Sequence, residues 1–296
     1  MSYAYDDGSP GRGRGLNLRI IGALILAAFG IITYLFQSQV NPVTGKRQHV
    51  AMSVDQEKSL GLQAAPDMAR QMGGAVDRDD PRARLVAATG ARLIDASDAS
   101  RSPYVGNYHF ILLRDPETIN AFALPGGQVF ITLGLLNKLT NEAQLAGVLG
   151  HEIGHVVNRH SAQQMAKGRL GQLLTMAVGV GASDRDDGGR NAQIVAAMVN
   201  QVTQLRFSRE DESEADRYGL RYMAQAGFNP SAMLEVMKIL KEAAKGSHQP
   251  EILATHPLPE TRLEEIKAIL DRTYPNGIPG NLEFGRPIEQ GQAGSR

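Results

Sequence analysis

The sequence predicts an α+β chain, mostly helical, in which a small β-sheet precedes a helix bearing His151-Glu152-Ile153-Gly154-His155, with one N-terminal transmembrane helix. Three observations carry this. Helix start signals followed by apolar residues at helical spacing recur from Ser53 to Arg272. Two runs rich in β-branched and apolar residues, Tyr108 to Leu113 and Gln128 to Leu133, lie either side of the turn residues Pro125-Gly126-Gly127. An uncharged apolar run extends from Ile20 to Phe36.

The 296 residues suffice for one sizeable domain or two small ones, and no internal repeat is visible. Lys+Arg and Asp+Glu number 31 each, so no net field marks a nucleic-acid surface. Cysteine is absent, which excludes disulfides, thiolate metal sites, a Cys nucleophile and a lipid-modified N-terminal Cys.

Residues 1–15, rich in Gly, Asp and Arg, read as a disordered tail. Residues 16–40 read as the membrane anchor, since the apolar run and its flanks approach the roughly 20 residues a span needs. A cleaved signal peptide is the alternative, but the run ends in bulky Tyr34-Leu35-Phe36 rather than a small-residue cleavage site. Arg12, Arg14 and Arg19 precede it, whereas Lys46 and Arg47 lie further after it, which favours a cytoplasmic N-terminus and a catalytic domain outside the cytoplasm.

After the anchor, Ser53 and Gln56 form a possible capping box for a helix to Met72 with a kink at Pro66, and Asp80-Pro81 opens another to about Asp95. The two strand runs follow. The helix from Thr140 to Asn158, with Thr140 or Asn141 as N-cap, carries the two histidines. Gly168 to Ala182 is apolar but too short for a second span, and Asp184-Arg185-Asp186-Asp187-Gly188-Gly189 reads as a polar loop able to border the cleft as a lid. Ser208 caps a helix to about Ala224, Asn229-Pro230 opens one to about Lys245, and a last runs from Pro259 to Arg272. Residues 41–275 thus form the folded domain, and 276–296 a disordered end.

The chemistry lies in the spacing. At i and i+4, His151 and His155 share one helical face and can bind a single Zn²⁺ at roughly 2.0–2.1 Å. Glu152 sits about 100° round the helix, where it can reach a metal-bound water without being a ligand. A catalytic zinc needs a third protein ligand, and Glu212 with Asp216, also i and i+4, supplies a ligand and an acceptor for the second N–H of a ligating imidazole. Small Ala215 and Gly219 would let that helix approach another closely. Standing alone, the acidic run from Glu210 to Asp216 would read as a solvated face.

The stretches His151–His155, Arg159-His160-Ser161, Phe207–Gly219, Thr255-His256-Pro257 with Arg262, Asn41–Gly45 and Asn120–Gly127 resemble the HtpX/BepA/LoiP-like family of gluzincin zinc metalloendopeptidases, over roughly residues 41–274. The resemblance implies one zinc per chain held by His151, His155 and Glu212, Glu152 as general base and acid, and Asp216 orienting a ligand. It places His256 and Arg262 over the metal, His256 as an oxyanion donor or a silencing fourth ligand. It also implies a strand that pairs with an extended substrate backbone; Gln128, Val129, Phe130 and Ile131, or a near neighbour, are assigned to this, the other reading being a strand that serves only the core. Expected partners are misfolded or unassembled envelope proteins and the inner membrane, with the catalytic domain in the periplasm. A noncatalytic holdase or adaptor of the same fold would be marked by loss of Glu152 or a ligand, and all are present. A multi-span relative would need several long apolar segments, and a BepA-like one helical repeats, leaving the LoiP-like branch as the nearest.

Overall fold

The computed structural model describes residues 14–50, 52–180, 206–246, 249–257 and 260–288. Helix α1 (Arg14–Phe36) leads into an antiparallel hairpin of β1 (Ser38–Val40) and β2 (Arg47–His49). Among the described residues no helix is long and apolar enough to cross a membrane. The apolar side chains of α1 nonetheless face outward, with Leu24 64% and Phe36 87% exposed. The hairpin is not foreseen from sequence, and a domain boundary at Asn41 would cut through it: β1 and the turn belong to the folded unit, with Val50 N donating to Gln37 O.

Helix α2 (Val54–Gln71) begins with the expected capping box. Ser53 Oγ accepts from Gln56 N, and the Gln56 side chain accepts from Ser53 N. Pro66 lies inside α2 without ending it. Helix α3 (Pro81–Asp95) starts after Asp80, whose carboxylate accepts from Arg82 N.

The sheet holds β3 (His109–Leu113), β4 (Ala121–Leu124) and β5 (Gln128–Thr132) in the order β3-β5-β4, with β3 parallel and β4 antiparallel to β5. Gly126, at φ 86°, makes the β4–β5 turn, and a Cβ there would fall 2.6 Å from the Glu57 carbonyl oxygen, so only glycine fits. This topology corrects the assignment of Gln128, Val129, Phe130 and Ile131 to substrate pairing. They form the central strand, buried throughout, and both hydrogen-bonding edges are already taken. The near neighbour β4 has no strand on its other side among the described residues.

Where the sequence extends a strand to Leu133, the chain turns into the short helix α4 (Leu133–Leu136). Then comes α5 (Glu142–Val157), capped by Asn141 and buried along its whole length. Around it pack α3, β4, α7 (Arg209–Gln225) and α8 (Ala232–Ala243). Helix α6 (His160–Val180) runs back along α1. The expected lid, 184–189, lies outside the described residues. Short α9 (Ile252–Thr255) and α10 (Glu260–Thr273) are the last two helices among the described residues.

Residues 276–288 differ from the expected disordered tail, the rest of which, 289–296, lies outside the described residues. Residues 282–288 strap across the start of α5: Glu142 N donates to Arg286 O, Ala143 N to Phe284 O and Ile288 N to Thr140 O, while Asn229 N donates to Glu283 O. These bonds satisfy amide donors that a helix start leaves unpaired, which gives a Gly/Pro-rich segment a fixed path.

Candidate active site

Helices α5 and α7 bring the site together because small residues let their backbones touch. A Cβ on Gly154 would sit 2.8 Å from Ala215 O, and one on Gly219 would sit 3.0 Å from His151 N. Ser208 caps α7, accepting from Asp211 N, so Glu212 and Asp216 rise on the face turned to α5.

His151 Nε2 and His155 Nε2 lie 3.0 Å apart, and Glu212 reaches them at 3.5 and 3.4 Å. His256, at the end of α9, places Nδ1 3.0 Å from Glu212 Oε1 and 3.4 Å from His151 Nε2. One ligand atom from each of these four buried residues falls within 4.8 Å of the others. Such spacing fits a tetrahedral ion with bonds of roughly 2.0–2.1 Å. Glu152 Oε1 and His256 Nε2 are buried without hydrogen-bond partners, 3.7 Å apart. Three buried carboxylates, Glu152, Glu212 and Asp216, face one buried guanidinium, Arg262, and the negative surplus suits a dication.

Behind His151, Asp216 Oδ1 lies 2.8 Å from Nδ1, which directs the other ring nitrogen to the cluster. Arg262, on α10, donates twice to Asp216, Nε to Oδ2 and Nη2 to Oδ1, both at 2.7 Å. Its Nη1 also lies 2.6 Å from Glu212 Oε2 as an ion pair. Burial alone would raise the Glu212 carboxyl, but the charges of His256 and Arg262 outweigh it and hold it well below the usual range. Burial and Arg262 likewise oppose a proton on His151, yet its hydrogen bonds to the carboxylates of Asp216 and Glu212 prevail and raise it to about 9. A metal entering there must displace that proton.

Every ligand-type residue singled out from the sequence thus converges here, and Arg262 grips the two carboxylates. Phe207 and His160 gain no role from sequence. The Phe207 ring packs 4.1 Å from that of His155 and 5.0 Å from that of His256, centroid to centroid. A cleft of about 360 Å³ opens beside the cluster, between Met68 of α2 and Met72 just past its end, Phe122 and Ala123 of β4, Phe207 and His256.

Comparison with known proteins agrees with this geometry. The model of "Peptidase family M48" matches residues 81–270. The beta-barrel assembly-enhancing protease of Escherichia coli (strain K12) is 30% identical over 92% of this chain and 56% of its own length. Mitochondrial metalloendopeptidase OMA1 of Schizosaccharomyces pombe is 33% identical over 84% and 70%, and that of Homo sapiens 28% over 86% and 49%. The chain therefore spans little more than half of the Escherichia coli relative. The matched region takes in the sheet and the helices α5 and α7 that carry His151, His155 and Glu212, and the chain belongs to peptidase family M48, as its motifs led us to expect.

Proposed function

We propose that this protein is a membrane-anchored zinc metalloendopeptidase that hydrolyses misfolded or unassembled envelope proteins. The observation that carries it is the convergence of His151, His155 and Glu212 on one point, with the unpartnered carboxylate oxygen of Glu152 beside them. Zinc held there would polarise a peptide carbonyl and acidify a water. With its unpartnered carboxylate oxygen beside the cluster, Glu152 would act as the base toward an attacking water and then return the proton to the leaving amine. Asp216 fixes the ring of His151, and Arg262 keeps both Asp216 and Glu212 ionised and in place. His256 stands within the ligand cluster, where it would supply a fourth ligand; turned outward, its N–H would instead face a developing oxyanion. The edge of β4 that carries no strand among the described residues lines the cleft and takes the substrate backbone as an added strand.

Metal analysis and casein digestion of purified full-length protein test this reading. Wild type is expected to hold one zinc, and His155→Ala and Glu212→Ala to lose it together with activity. Asp216→Ala should weaken zinc binding or activity by about 10–100-fold. His256→Ala should keep zinc through the three remaining ligands and raise basal cleavage. A wild-type protein that binds no zinc would overturn the reading.

Support for the anchor comes from the outward apolar side chains of α1 and the arginines before Ile20. A reporter active only outside the cytoplasm, fused after Arg296, should be active, and the protein should sediment with membranes. Recovery of a mature N-terminus near Val40 would instead identify a cleaved signal.

A further inference from the structure

The two histidines of α5 are held from behind in different ways. His151 has a carboxylate, Asp216, whereas His155 has a third imidazole: Nδ1 of fully buried His160 lies 2.9 Å from Nδ1 of His155. Two ring nitrogens that close share one hydrogen. With Nε2 of His155 turned to the cluster, its Nδ1 carries the hydrogen and donates to His160, so that His160 bears its own hydrogen on Nε2. That N–H faces Glu214 Oε2 at 3.4 Å, and Lys46 Nζ donates to Glu214 Oε1 at 2.5 Å.

Backbone geometry makes the contact possible. Five residues along an unbroken helix, His160 would lie about 140° round from His155. Arg159 instead adopts φ 56°, in the left-handed region, ending α5 and folding His160 back against His155. At the other end of the chain of contacts, Lys46 stands on the turn between β1 and β2. That hairpin is itself docked on the end of α5, where Asn41 Nδ2 donates to Val157 O at 2.6 Å and Gln48 Nε2 to Asn158 O at 2.7 Å. Both carbonyls are ones that a helix end leaves open.

We propose that His160, Glu214 and Lys46 are positioning residues that set the tautomer and ring plane of His155, tying the metal site to the hairpin that follows α1. The proposal rests on the reading that His155 holds a metal. Its consequence is that the strength of metal binding depends on a contact made by the segment joined directly to α1.

The test is zinc affinity by chelator competition on the full-length protein, together with the visible spectrum of the cobalt-substituted form, which reports ligand geometry without turnover. His160→Leu is expected to weaken zinc binding by about 10–100-fold and to change the cobalt spectrum. His160→Asn, whose side-chain oxygen falls near the position of Nδ1 and can accept from His155, should restore most of both. Glu214→Ala and Lys46→Met should weaken binding by smaller factors, in that order, and Lys245→Met, an exposed lysine paired with Glu242, should not. Equal losses for His160→Leu and His160→Asn, or no change in either, would overturn the proposal while zinc binding by the wild type upheld the proposed function. If the Leu variant does not fold, Glu214→Ala decides, since unchanged affinity and spectrum there would also overturn it. Failure of the wild type to bind zinc would bring down the proposed function and this inference with it.

Discussion

Replacing Glu152 with Gln is expected to lower peptide hydrolysis by about 10²–10⁴-fold while zinc stays bound. Glu152 is 1% exposed, lies between the two histidines on α5, and does not belong to the cluster of possible ligands. One of its carboxylate oxygens has no hydrogen-bond partner, a costly arrangement for a buried group unless a ligand or reacting species completes it. Glutamine keeps the shape and fills the same space but cannot take a proton, so the variant separates chemistry from binding. Zinc content by elemental analysis and casein cleavage by the same preparation give the two readouts. Full activity in the variant would remove Glu152 from the mechanism; lost zinc would make it a ligand instead.

Arg159→Ala is expected to cost about 3–5 kcal/mol of stability, the usual result of stripping one partner from a buried ion pair. The Arg159 side chain is 3% exposed and that of Glu57 2%. The guanidinium donates to Glu57 Oε1 through Nε at 3.0 Å, to Met52 O at 2.9 Å and to Gln39 Oε1 at 2.7 Å, joining α2, the β1 strand and the α5–α6 corner. Tyr104 also donates its hydroxyl to Glu57. Burial raises the Glu57 carboxyl even with Arg159 present, so without the guanidinium the carboxylate must protonate or let water in. Chemical denaturation in detergent measures the loss. The double variant Arg159→Ala, Glu57→Leu should recover part of it, because no buried charge is then left alone. A midpoint unchanged by Arg159→Ala would show that solvent reaches Glu57 in the folded protein.

What the sequence determined by itself is local. Ser53 with Gln56, Asp80, Asn141 and Ser208 each cap the helix they precede, because a cap is a hydrogen bond between residues two or three apart and needs nothing from the rest of the chain. The pairing of His151 with His155, and of Glu212 with Asp216, follows from the helical period alone. Ala215 and Gly219 likewise announced a close helix crossing through their size. Tertiary structure decided what depends on neighbours distant in sequence. The four-residue strand Ala121–Leu124 carries two alanines and little β-branched signal, yet it takes the open edge of the sheet and leaves Gln128–Ile131 in the middle. Arg159 enters the left-handed region although it is not glycine, because the buried partners of its side chain hold the corner, and only that corner turns His160 toward His155. Strand order and a tertiary-held backbone turn leave no periodic trace in the residues that make them, since the free energy that selects them lies in pairings between segments rather than within one.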